Sequence, residues 1–143
     1  SRKAQSLVIR HVCFHGRMKQ PRCNRQPMSD ALPATADSEV FLVLSTFGDH
    51  ASAETCAQYL VKQRHAACVQ IDGPIRSVYQ WKGEIKAEEE FRLLVKTSSQ
   101  ALDECVTTLQ KQHPYDLPEI IVLNASASTA YASWVTKQTS RRK

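Results

Sequence analysis

The stretch from Ala66 to Ser98, AACVQIDGPIRSVYQWKGEIKAEEEFRLLVKTS, constrains the fold more than any other part of the chain. It reads as two long extended segments joined at Lys82-Gly83. Ala67 to Ile71 is rich in strand formers. Asp72-Gly73-Pro74 is a bend, because Pro74 has no N–H to give to a ladder. Beyond it Ile75, Ser77, Tyr79 and Trp81 alternate with Arg76, Val78, Gln80 and Lys82, a period of two. Gly83 supplies the conformational freedom of a tight turn. On the return, Phe91, Leu93 and Val95 alternate with Arg92, Leu94 and Lys96. A two-residue loop at Lys82-Gly83 sets Arg76 opposite Glu89 and Tyr79 opposite Lys86, both favourable cross-strand pairs. Strands of this length exceed the usual five or six residues and predict an arm longer than one sheet requires.

The remaining elements follow from periodicity. Val40 to Phe47 is predicted as a strand with Val40, Leu42 and Leu44 on one face and Phe41, Val43 and Phe47 on the other. Such a strand needs cover on both sides. Asp49 is a fair N-cap for a helix in which Ala53, Cys56, Ala57, Leu60 and Val61 recur at helical spacing. Gln63-Arg64-His65 ends it, with His65 expected in solvent. After the hairpin, Thr97-x-x-Gln100 reads as a capping box for a helix striped by Leu102, Cys105, Val106 and Leu109. Pro114 stops that helix. The loop from His113 to Glu119 carries two prolines, Ile120 to Leu123 is a fourth strand, and a short helix bears Tyr131, Trp134 and Val135. The order is β-α-β-β-α-β plus a terminal helix, an α+β chain of the split, ferredoxin-like kind. Two strands apolar on both faces leave the second face of the sheet short of cover. A second copy of the chain is the simplest cover, so a homo-oligomer is expected.

Charge divides the chain unevenly. Residues 1–27 hold seven Lys or Arg and no Asp or Glu, whereas from Met28 onward twelve basic residues face fourteen acidic ones. Residues 1–36 are expected to form a basic extension and 37–143 the domain. Met28-Ser29-Asp30 would serve as a natural start, with translated upstream sequence before it. An organelle transit peptide is the other reading of an Arg-rich, acid-free segment, and would replace the cytoplasmic setting that the cysteines suggest. Those five cysteines show no paired spacing, which argues against disulfides and a structural zinc site. His11, Cys13, His15 and Cys23 match no strong metal motif. No apolar run approaches the roughly 20 residues that span a bilayer, so no membrane partner is expected. The slightly acidic domain gives no electrostatic case for nucleic acid.

One set of residues carries a resemblance. The run Ala67-Cys68-Val69, then Gly73-Pro74, Ser77-x-Tyr79-x-Trp81-x-Gly83-x-Ile85, Glu90, Lys96-Thr97 and His113-Pro114-Tyr115-x-x-Pro118-Glu119 resembles the CutA divalent-cation tolerance family. The resemblance covers about Val40 to Lys137. It implies a ferredoxin-like subunit, a tight homotrimer in which long hairpins extend neighbouring sheets, and a likeness to the PII signalling trimers, which bind effectors between subunits. It also implies a link to copper. Enterobacterial members place a Cys and a His-His pair at positions that here are Ser45, Gln112 and His113, so only His113 keeps a good copper ligand.

His113 with Asp116 and Glu119 is the best polar constellation in the sequence, an imidazole and two carboxylates suited to a divalent cation such as Cu(II), weakly held. The competing reading makes His113 a helix C-cap, with Tyr115 packing and Glu119 paired to a lysine. Tyr79, Trp81, Glu90, Lys96 and Tyr115 are expected at the cleft or subunit interface, Glu88 and Glu89 on a solvated edge. No catalytic motif appears: Gly-x-Ser-x-Gly, HExxH and Walker A are absent, and Asp49 would repel an anion from the loop after the first strand. Nor does Phe91-Arg92-Leu93-Leu94-Val95 provide the aromatics of an RNA-recognition strand. The expectation is a non-enzymatic trimer that binds metal between subunits. The alternative is a PII-like sensor of a small effector, whose basic cleft would draw on Arg76 and Lys96.

Overall fold

A computed structural model describes residues 36–141. The basic extension up to residue 35, the His11/Cys13/His15/Cys23 set and the start at Met28 lie outside the described residues. A 3₁₀ turn at Ala36–Ser38 leads into β1 (Glu39–Phe47), α1 (His50–Lys62), β2 (Cys68–Trp81), β3 (Glu84–Thr97), α2 (Leu102–Gln112), β4 (Ile121–Ser126) and α3 (Thr129–Thr139). The sheet order is β2-β3-β1-β4 and every neighbouring pair is antiparallel. This is the expected split arrangement, an α+β sheet with helices.

Strand alternation sorts the two faces. Val43 and Phe47 of β1 and Leu93 and Val95 of β3 point to one side and are fully buried against Ala53, Cys56 and Leu60 of α1 and Cys105 and Leu109 of α2. Burial pushes the Cys56 thiol up to about 11 and the Cys105 thiol up to about 12, as befits inert core residues. On the opposite side α3 covers one end of the sheet, packing Ala132 and Val135 against Val40 and Leu42. That cover is partial. Ile121 and Leu123 of β4, opposite Leu44 and Leu42, stay 46% and 48% exposed.

The hairpin is the dominant element. Its turn is Lys82-Gly83, both at positive φ (50° and 79°), the geometry that matches the twist of two antiparallel strands. Arg76 stands opposite Glu89 and Tyr79 opposite Lys86, as expected. Asp72-Gly73-Pro74 bends without ending the strand. Asp72 pairs with Arg92 and Ile75 with Glu90, so Gly73 and Pro74 together face the single residue Phe91. This is a β-bulge. Gly73 is required there: its φ is +147°, and a Cβ would lie 2.8 Å from the Phe91 ring and 2.9 Å from the Glu90 carbonyl oxygen. Only Phe91 to Thr97 of β3 pair with β1, so the rest of the hairpin extends past the body of the sheet.

Three local expectations are corrected. Thr97 is no helix cap: its hydroxyl donates to the His65 carbonyl at 2.7 Å, and α2 starts at Leu102 after Ala101 with no side-chain cap. His65 is not a solvated helix end. Its Nδ1 meets the Thr108 hydroxyl at 3.0 Å and its Nε2 lies 3.4 Å from Glu104, joining α1 to α2. Val61 leaves the apolar stripe and is exposed, since α1 buries Ala53, Cys56, Ala57 and Leu60 instead. Asp49, by contrast, caps α1 as expected, accepting from the Ser52 N–H at 2.7 Å.

Candidate functional site: an acid-walled cleft beside the hairpin

The loop that follows α2 wraps around the end of β1 and faces the hairpin. Its anchor is His113, buried at the C-terminus of α2. The ring stacks on Phe47 with centroids 4.3 Å apart. Its Nε2 is 2.7 Å from the Thr46 carbonyl, and its Nδ1 accepts from the Tyr115 backbone N–H at 3.1 Å. Those partners fix the tautomer, because a carbonyl accepts and an amide donates: Nε2 carries the proton and Nδ1 is bare. Both ring nitrogens are therefore committed within the chain.

Tyr115 then crosses Gly48, where an added Cβ would lie 3.0 Å from the phenol oxygen. The phenol donates to Oε2 of Glu90 at 3.2 Å. Glu90 is 7% exposed, although it sits in a run of three glutamates. From the hairpin, Tyr79 donates to Glu88 at 2.9 Å. Burial, followed by the charge of Glu90, pushes the Tyr115 phenol up to about 12. The bond to Glu88 likewise raises Tyr79 above its ordinary value. Both phenols stay protonated donors at physiological pH.

Between loop and hairpin lies a cleft of about 890 Å³. Tyr79, Trp81 and Tyr115 give it aromatic walls, Glu88 and Glu90 line one side, and Asp116 and Glu119 line the loop side. Its lining includes no Lys, Arg or His. Arg92, the cation whose charge is favoured first by Asp72 and least by Glu119, is held by Asp72 through two bonds of 2.7 and 3.2 Å.

The structure thus brings together Tyr79, Trp81, Glu90, Tyr115, Asp116 and Glu119. It leaves out Lys96, whose ammonium sits 5.9 Å from the Tyr131 ring of α3. His113 lies behind the cleft as a peg and does not line it. The family copper positions fare no better as a ligand set. Ser45 is fully buried with its hydroxyl unpartnered, on the face shared with Val43 and Phe47, while Gln112 is exposed. Among the described residues no three His, Cys, Asp or Glu side chains gather as a metal site. Residues at these positions do not fit copper in the way the resemblance implies.

Glu88, expected on a solvated edge, lines the cleft instead, and Ser77, given no place in it by the sequence, lines it too. The signal was in the alternation: with Tyr79 and Glu90 on one face, Ser77 and Glu88, which pair with each other, must share it.

The sequence model of the family described as "CutA1 divalent ion tolerance protein" matches residues 41–138. The divalent-cation tolerance protein CutA of Thermus thermophilus is 37% identical over 99 residues, covering 68% of this chain and 96% of that protein. Its counterpart from Pectobacterium atrosepticum is 35% identical over 98 residues, covering 68% and 89%. Among solved structures, CutA from Synechococcus elongatus superposes with a TM-score of 0.68 at 39% identity, covering 72% of this chain and 92% of that one. CutA1 from Oryza sativa superposes at 0.69 with 28% identity, covering 76% of this chain and 100% of that one. With the family model, the relatives and the solved structures each matching about two thirds of the chain or more, this chain belongs to the CutA1 divalent ion tolerance family.

Proposed function

We propose that the protein is a non-enzymatic, homotrimeric member of its family that acts in divalent-cation tolerance and takes up cations at the acid-walled cleft. The observation that carries this reading is the lining itself: four carboxylates and no basic side chain around one opening. Such a wall favours cations and raises their local concentration. The names of the relatives, divalent-cation tolerance proteins, point the same way.

Asp116 and Glu119 are the proposed contacts for a divalent ion, since both are exposed on the cleft and carry oxygen ligands. His113 would join them only by giving up the Thr46 carbonyl and the Tyr115 amide. Binding is therefore expected to be weak, with Cu(II) the tightest of the first-row ions. The PII-like alternative, an anionic effector such as a nucleotide, is not favoured. Arg76 lies across from Glu89 outside the cleft lining, and Lys96 is at α3. A trimer is supported by the half-exposed Ile121 and Leu123 and by the hairpin arm that passes beyond its own sheet.

Calorimetry with Cu(II), Zn(II) and Mn(II) on wild type, the double variant Asp116→Asn/Glu119→Gln and His113→Ala tests the metal contacts. Weaker uptake in the double variant, with His113→Ala still binding, supports the carboxylate reading. Unchanged uptake in the double variant would remove it. Light scattering of the same samples reads the assembly.

A further inference from the structure

The inner end of the cleft has a chemistry that differs from a metal site. Glu90 is 7% exposed, yet only its Oε2 takes a hydrogen bond from the described residues, and Oε1 is left without one. Oε1 keeps access to the cleft, since among the described residues only the Ser45 hydroxyl is both sealed from solvent and unpartnered, and an oxygen so placed can face a cation. Around it stand the rings of Tyr79, Trp81 and Tyr115, with Val78 and Leu117 also lining the space.

A divalent metal is a poor match for this end. Ca²⁺ or Mg²⁺ demands about six oxygen ligands at 2.0–2.6 Å. Here Glu88 and Glu90 each already accept a phenol hydrogen bond, and no three potential ligand residues converge among the described residues. An anion is excluded by the sign of the wall. What remains is a cation whose surface is largely hydrocarbon. Such a group gains from aromatic faces through cation–π attraction and from one buried carboxylate through charge, and needs no coordination sphere. The cleft volume of about 890 Å³ also falls within the roughly 300–1,000 Å³ of small-molecule sites.

We infer that the Glu90 end of the cleft is a binding site for an organic ammonium ion, with Glu90 as counter-charge and Tyr79, Trp81 and Tyr115 as its aromatic walls. Tyr115 has a second part in this: its hydroxyl holds the carboxylate in place and, with a phenol pKa pushed up to about 12, it stays neutral while doing so. The proposal shares the cleft with the divalent-cation reading but does not depend on metal being bound.

The probe is choline chloride against its uncharged carbon analogue, 3,3-dimethylbutan-1-ol, at constant ionic strength, on the full chain. Saturation-transfer NMR detects contact, and calorimetry gives the affinities. Choline is expected to bind saturably and at least about tenfold more tightly than the alcohol. Glu90→Gln keeps an oxygen for Tyr115 to donate to and should lose about tenfold in choline affinity. Trp81→Leu, on the exposed hairpin, should lose several-fold and serves if the Glu90 variant folds poorly. Equal binding of choline and the alcohol, no choline binding to wild type, or unchanged affinity in Glu90→Gln would each overturn the proposal. Choline binding without copper binding would leave it standing and remove the metal reading. Copper binding alone would do the reverse.

Discussion

Ser45 is the one side chain among the described residues whose buried polar atom has no hydrogen-bond partner, in a layer otherwise made of Val43, Phe47, Leu93 and Val95. Leaving a buried hydroxyl unmade costs about 1–3 kcal/mol, whereas an apolar group of similar shape costs little. Ser45→Ala should therefore stabilise the protein by about 1 kcal/mol in urea denaturation. His113 is the opposite case, since its ring holds two hydrogen bonds and a stack. His113→Ala should destabilise by roughly 2–4 kcal/mol, because it opens a cavity and strands the Thr46 carbonyl. His65 behaves differently again. Burial, and then the charge of Arg141, hold its pKa below the ordinary 6.5. Glu104 would oppose this, but it is itself bonded to Arg141. The unfolded chain then takes up the His65 proton first, so this contribution to stability is present above about pH 6.5 and is lost as pH falls toward the folded pKa. Arg141→Gln should raise the His65 pKa in an NMR titration, and a downward shift would show that the cation is not its neighbour in solution.

At the scale of elements, the hairpin was readable because its information is local. A period of two, a Lys-Gly turn and opposite charges at Arg76 and Glu89 fix the outer register without help from the rest of the fold. The inner register was not readable to the same degree. Gly73-Pro74 announces a bend, but only the packing of Phe91 shows that the strand continues through it with one extra residue. That residue sets how the inner strand faces relative to the outer one, whereas the turn alone puts Tyr79 and Trp81 on the side of Glu88 and Glu90. Gly73→Ala should cost more than about 2 kcal/mol, for it combines a left-handed φ with a backbone clash. Gly83→Ala, with open space around it, should cost only about 1–2 kcal/mol. Comparable losses in thermal melts would mean the bulge can relax. Thr97 and His65 misled for one reason. Their partners, the His65 carbonyl and the Thr108 hydroxyl, lie 32 and 43 residues away in sequence, beyond what a local pattern can encode. The cleft was half legible: its aromatics followed from the alternation, but the burial of Glu90 depends on Tyr115 arriving over Gly48.

For the whole molecule, Ile121 and Leu123 stay half-exposed on a sheet face that α3 covers only in part, and the proposed assembly would add stability by covering them. Leu123→Lys should shift the protein toward smaller species in light scattering and make its melting temperature more sensitive to dilution. Wild type running as a monodisperse monomer would sink the trimer. The acid wall of the cleft bears on solution conditions as well. Glu88, Glu90, Asp116 and Glu119 repel one another with no lining cation to offset them. Dissolved ions shorten the reach of that repulsion, from roughly 30 Å at 0.01 M to about 3 Å at 1 M. Surface ion pairs such as Arg92–Asp72 weaken as salt is added, whereas the contribution of the cleft should turn more favourable. Any positively charged occupant would neutralise the wall and flatten the dependence, so the slope of melting temperature against sodium chloride measures how empty the cleft is.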